Sequence, residues 1–129
     1  MNGQVESHKN LTVWQKSMDL VSEVYKLVKK LPREENYALS DQIRRASVSI
    51  PSNIAEGMGR FTTKDRIRFL DISYGSLYET MCQMEIAYEQ HYISSQDFES
   101  FEHLASRTSM TIMGLKKNFE IKINNSKNQ

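Results

Sequence analysis

One stretch limits this chain more than any other. Ile67, Leu70, Tyr74, Leu77, Met81, Met84 and Tyr88 recur at alternating spacings of three and four. At 3.6 residues per turn, that spacing lays a continuous apolar stripe along one side of a long helix. Such a stripe must be buried against other helices. The rest of the chain repeats the pattern. Leu11, Trp14, Met18, Val21, Tyr25 and Val28 form a first seam, which Leu20, Val24, Leu27 and Leu31 widen. Leu39, Ile43, Ala46, Ile50 and Ile54 form a second. Phe98, Phe101, Ala105, Ile112, Leu115 and Phe119 form the last, with Thr108 filling one position. Only five glycines and two prolines interrupt 129 residues, which disfavours a turn-rich β fold.

Local signals set the boundaries. The first helix spans Leu11 to Lys30 and stops at Pro32. Ser40 serves as N-cap of the second, with Asp41 in its first turn. Pro51 lies inside that helix, removes one backbone N–H and predicts a kink or break there. Gly57 and Gly59 then end it. Thr62 with Asp65, and Ser94 with Asp97, have capping-box spacing before the third and fourth helices. The fourth frays after Ile121 or Ile123. Gly75 costs the third helix about 1 kcal/mol, which predicts close approach of a neighbouring backbone. The expected architecture is all-α, an antiparallel up-down-up-down four-helix bundle over residues 11–121. Residues 1–10 read as a flexible arm and 122–129 as a flexible polar tail. The second helix is short, which leaves apolar surface on the long ones and favours a homo-oligomer.

Chemistry is sparse. His8, His91 and His103 have no metal-ligand spacing with one another or with Cys82, so no metal site is expected. No nucleophile elbow, phosphate-cradling glycine loop or Glu-x-x-His pair occurs. No catalytic residues or cofactor are expected, and the chain reads as a non-enzyme. Cys82 beside Met81 reads as a packed thiol of a reducing, cytoplasmic protein. No apolar run is long enough to cross a membrane.

Charge is the informative property. Lys and Arg total 17, Asp and Glu 16, giving a formal net charge of +1. The cations are nevertheless unevenly spread. In an antiparallel bundle one pole holds Lys9, Lys16, Arg60, Lys64, Arg66, Arg68, Lys116, Lys117 and Lys122. Fewer acids lie nearby: Glu6, Asp19, Glu56, Asp65, Asp71 and Glu120. Repeated around a symmetric ring, that excess would form a phosphate-binding surface. For an isolated bundle, a solvated charged surface is the simpler reading. Of Arg44 and Arg45, one is expected to pair with Glu56 or Asp41.

Several runs then carry a family likeness. They are L-x-V-W-Q-K at Leu11–Lys16, Q-I-R-R-A at Gln42–Ala46, S-I-P-S-N-I-A-E-G at Ser49–Gly57, Gly59-Arg60, and Y-G-S-L-Y-E at Tyr74–Glu79. Together they resemble the four-helix-bundle proteins encoded in intervening sequences of bacterial 23S ribosomal RNA genes, some of them labelled ribosomal proteins. The resemblance implies assembly into a ring, a homopentamer. It also extends to accessory proteins of diversity-generating retroelements, basic pentamers that bind nucleic acid and a reverse transcriptase. The balanced charge here departs from those. Ser49, Pro51, Asn53, Glu56 and Gly57 carry over as structural signature residues. Arg60 carries over as the signature residue that would also contact phosphate. The leading expectation is an oligomeric bundle that binds ribosomal or other RNA, or a ribonucleoprotein, through Arg60, Lys64, Arg66, Arg68, Lys116 and Lys117. The alternative is a protein–protein interaction scaffold with no nucleic-acid binding.

Overall fold

The computed structural model describes residues 8–127. Four helices account for nearly all of them: α1 Thr12–Val28, α2 Leu39–Met58, α3 Thr63–Glu89 and α4 Ser95–Lys127. Short 3-10 turns at His8–Asn10 and Arg33–Glu35 precede α1 and α2, and no strand occurs among the described residues. Apart from His8–Asn10, the expected N-terminal arm lies outside the described residues.

Each helix packs on two others. α1 lies against α2 and α4, and α3 against α2 and α4. Neighbours run in opposite directions. Gly57 faces Phe69 while Ser49 meets Ser76 across α2–α3. Asp71 meets Lys116 while Tyr88 stacks on Phe98 across α3–α4. Lys30, just past the end of α1, reaches Asp97 in the first turn of α4. The core runs the bundle's length through Leu20, Leu27, Ile43, Ile50, Leu70, Leu77, Met84, Phe101 and Ile112, all sealed from solvent.

The seams of α2 and α4 lie where the spacing puts them. In α3, Leu70, Leu77 and Met84 are buried, but Ile67, Tyr74, Met81 and Tyr88 are half-buried beside fully buried Ser73, Thr80 and Ala87. The seam of α1 is displaced. Val13, Ser17, Leu20, Val24, Leu27 and Leu31 are buried, whereas Met18 and Tyr25 are 37% and 41% exposed. The buried set also has three-four spacing, but Ser17 hides it by being polar. Its hydroxyl donates to the Val13 carbonyl at 2.7 Å, which makes its burial cheap. Met18 and Tyr25 are left on an outer face.

The ends also differ from expectation. α2 starts before Ser40, because Glu35 Oε1 accepts the Leu39 N–H at 3.4 Å and Ala38 O accepts the Gln42 N–H. Ser40 is buried with its hydroxyl unpartnered, not a cap. Thr62 Oγ1 accepts from the Asp65 N–H, and Ser94 and Asp97 cap each other's N–H reciprocally, as the spacing predicts. α4 continues to Lys127, beyond the expected fraying point, with Ile123 half-buried and beside Thr63 of α3. Cys82 is exposed, pointing away from the seam that Met81 borders.

Candidate nucleic-acid interface

The signature stretch of α2 is built for contact with α3. Pro51 is buried, and α2 passes through it as one uninterrupted helix. A proline removes one acceptor's partner and crowds the preceding turn. Side-chain donors also bond to carbonyls of the turns around it. Ser47 Oγ donates to Arg44 O, Ser52 Oγ to Val48 O, and Asn53 Nδ2 to Ser49 O. Ser73 of α3 donates to Ile50 O at 2.8 Å, so one of these bonds crosses the interface. Ser49 Oγ lies 2.8 Å from Ser76 Oγ of α3 and accepts from Asn53 Nδ2. Ser49, Pro51 and Asn53 therefore seat two helices on each other through small polar side chains.

Gly57 completes that seat. It lies within α2, and a Cβ there would come 2.8 Å from Phe69 Cβ. The close approach expected at Gly75 occurs here instead; nothing lies within 4 Å of a Cβ built on Gly75. Gly59 is the C-cap, and its N–H is shared among the carbonyls of Ala55, Glu56 and Gly57.

The α2–α3 corner follows directly. The Arg60 N–H closes on Gly57 O at 3.0 Å. The Arg60 guanidinium pairs with Glu56 Oε1 at 2.7 Å and lies 4.6 Å from the centre of the Phe69 ring. Arg68 approaches the same ring at 5.3 Å. Arg66 Nε donates to Arg60 O at 3.0 Å, bracing the turn. Arg60 and Arg68 thus share one buried phenylalanine and Arg66 braces the same turn, with exposed Lys64 on the first turn of α3. Arg60 is held by an acid of its own chain. Among the described residues, no carboxylate pairs with Arg66 or Arg68.

Lys116 and Lys117 lie elsewhere, in a groove of about 550 Å³ between α3 and α4 that Leu70, Tyr74, Ile112 and Met113 also line. Lys116 Nζ pairs with Asp71 Oδ1 at 2.7 Å, and that bond raises the ammonium pKa above its ordinary value. Its charge is spent within the chain. Lys122 and Lys127 line a separate hollow beside Thr63, close to the corner. At the other pole Arg45 pairs with Asp41, and Arg44 donates to Asn36 O.

Sequence reasoning missed Phe61. It follows Arg60 in the corner and is fully exposed, at 102%. An aromatic inside Gly-Arg-Phe-Thr, four residues after the AEG run, was the available signal. It also missed Ser73 and Ser76, the α3 half of the seat. Among the described residues, no group of three His, Cys, Asp or Glu could hold a metal ion. No described helix is long and apolar enough to cross a membrane.

A four-helix bundle with an arginine corner and a Ser-x-Pro-x-Asn seat defines the class. The chain belongs to the 23S rRNA-intervening sequence protein family, whose profile matches residues 9–114. A solved crystal structure from Bacteroides thetaiotaomicron VPI-5482 is similar. It is a protein of unknown function from the S23 ribosomal protein family, 26% identical, with a TM-score of 0.76. The match covers 82% of this chain and 99% of that one. No curated protein matches the chain.

Proposed function

We propose that this protein is a non-enzymatic bundle that assembles with copies of itself and binds RNA, free or within a ribonucleoprotein, through the α2–α3 corner. The gathering of Arg60 and Arg68 on Phe69, with Arg66 bonded to the Arg60 carbonyl, carries this reading. Arg66 and Arg68 are the principal phosphate contacts, because Arg60 is already paired with Glu56. With Lys64, the corner holds four cations against Glu56 and Asp65. Symmetry multiplies that local excess, which the whole-chain charge of +1 conceals. Assembly is supported by apolar side chains on the outer faces: Met110, Met113 and Tyr78 are 69%, 54% and 52% exposed. A ring of five is the arrangement the family likeness suggests.

The test is binding of labelled RNA across a salt series, with Arg66→Glu/Arg68→Glu as the variant. Each phosphate contact removed lowers the log–log salt slope by about 0.7 for a single strand. Binding should weaken and its salt slope flatten, and circular dichroism of the variant checks that losing the Arg66–Arg60 carbonyl bond leaves the helices intact. Unaltered binding would refute the corner as the site.

A second reading has its own observation. The Tyr74 hydroxyl lies 3.3 Å from the Tyr78 hydroxyl and 3.5 Å from Met113 Sδ, beside the α3–α4 groove. Tyrosine and methionine beside a groove are typical of protein–protein surfaces. A scaffold that docks a protein there, such as a reverse transcriptase, would leave RNA unbound.

A further inference from the structure

Among the described residues, two aromatic side chains stand almost wholly in solvent: Phe61 at 102% and Tyr37 at 98%. They lie at opposite poles. Tyr37 follows Glu34 and Glu35, whereas Phe61 follows Arg60 and precedes Lys64, Arg66 and Arg68. A single exposed apolar side chain is ordinary. The support beneath Phe61 is less so.

Its turn is braced on both sides. Behind it, the Gly59 and Arg60 N–H groups close on α2 carbonyls. Ahead of it, Thr62 caps α3 by accepting from the Asp65 N–H. Across it, Arg66 Nε holds the Arg60 carbonyl. Phe69, the neighbouring aromatic, is buried and carries the Arg60 and Arg68 guanidinium groups. The ring of Phe61 is left open on a fixed support. Beside it lies a hollow of about 400 Å³ lined by Ala55, Glu56, Gly59, Arg60, Thr62 and Asp65.

We propose that Phe61 is a stacking platform for an unpaired nucleobase, so that the corner takes single-stranded rather than duplex RNA. This rests on the RNA-binding reading above and specifies the form of RNA. The chemistry divides cleanly. The arginines suit the phosphates, the ring suits a base face, and the Asp65 carboxylate on the hollow side can accept from base N–H groups. A phosphate alone gains nothing from the ring. A duplex keeps its base faces stacked and offers it nothing.

The experiment uses the full chain and two labelled oligomers of equal length and charge, a single-stranded oligouridine and its abasic counterpart. Phe61→Ala is compared with Phe61→Trp, and Tyr37→Ala is the control. Stacking on an aromatic contributes about 5- to 150-fold in affinity per base. Phe61→Ala should lose that factor on oligouridine and nothing on the abasic oligomer. Phe61→Trp should keep it, and Tyr37→Ala should match the parent on both. An equal loss on both oligomers, or no loss, overturns the stacking role. The phosphate reading then stands if Arg66→Glu/Arg68→Glu still loses binding. A change in particle mass on Phe61→Ala would make Phe61 a contact between copies, which also overturns it. A parent protein that binds neither oligomer at low salt overturns both readings together.

Discussion

Two glycines in adjacent helices should respond in opposite directions to the same substitution. In Gly57→Ala the new Cβ would lie 2.8 Å from Phe69 Cβ and 3.5 Å from Arg66 O. Neither neighbour is the free end of a flexible side chain. The Phe69 Cβ is fixed to the α3 backbone, so α2 and α3 must part along the Ser49–Ser76 seat. Overpacking of this kind costs about 1–3 kcal/mol. Alanine returns up to about 1 kcal/mol of helix propensity. In Gly75→Ala nothing lies within 4 Å of the new methyl, so only the propensity gain remains. Gly57→Ala should therefore be less stable than Gly75→Ala by about 1–3 kcal/mol, or roughly 3–10 °C in Tm for a chain of this size. Thermal and urea unfolding followed by circular dichroism, at one fixed protein concentration, measures the difference. Equal stability of the two variants, or a Gly57→Ala more stable than the parent, would refute the close approach and with it the account of the signature glycine.

Other expectations concern the seat and the poles. Ser73→Ala removes the bond to Ile50 O beside Pro51 and should cost about 1 kcal/mol in urea unfolding; no loss would mean that the Pro51 region needs no support from α3. Asn53→Ala should cost a similar amount by losing its bonds to Ser49 O and Oγ. The Lys30 ammonium, aided by the Ser94 N–H, holds the Asp97 carboxyl below its ordinary value. The stability this brings is present above the unfolded-state pKa and is lost as pH falls through the folded-state one. Asp97→Asn should therefore flatten the acid limb of a stability–pH profile and leave its alkaline side unchanged, and an unchanged acid limb would exclude the pair as a contributor. Native Cys82 should react readily with a water-soluble thiol reagent, and slow labelling that accelerates on dilution would show that a second copy covers it.

Much of this was legible in the residues, and the failures have physical causes. The seams of α2, α3 and α4 can be read because large apolar side chains such as Ile43, Ile50, Leu70, Leu77, Phe101 and Ile112 mark enough of the buried positions to fix the face, although Ser47, Ser73, Thr80 and Thr108 are buried among them. In α1 two stripes with the same spacing compete. Ser17 masks the buried one, while Met18 and Tyr25 advertise the exposed one. Pro51 suggests a break because a proline's cost is local. The helix nevertheless runs through it, buried against α3, where a serine on that other helix bonds to Ile50 O, a contact no local reading can supply. Gly57 and Gly75 look alike in sequence; only the distance to α3 or to solvent separates their roles. The polar end of α4 reads as a tail, yet Ile123 beside Thr63 keeps it helical. At the corner the basic residues are plain, but their partners are not. Glu56 engages Arg60 and Asp71 engages Lys116, while among the described residues no carboxylate pairs with Lys64, Arg66 or Arg68. Phe61 is invisible to any argument about seams, because it belongs to none.

The mass of the native particle, measured by light scattering with and without single-stranded RNA at low and moderate salt, tests the central claim most directly. The account predicts a discrete multiple of 15.0 kDa, five-fold for the ring that the family likeness suggests. That particle should gain mass with RNA and lose the gain as salt rises. A particle whose mass RNA leaves unchanged at low salt would contradict RNA binding, and a monomer of 15.0 kDa would contradict assembly.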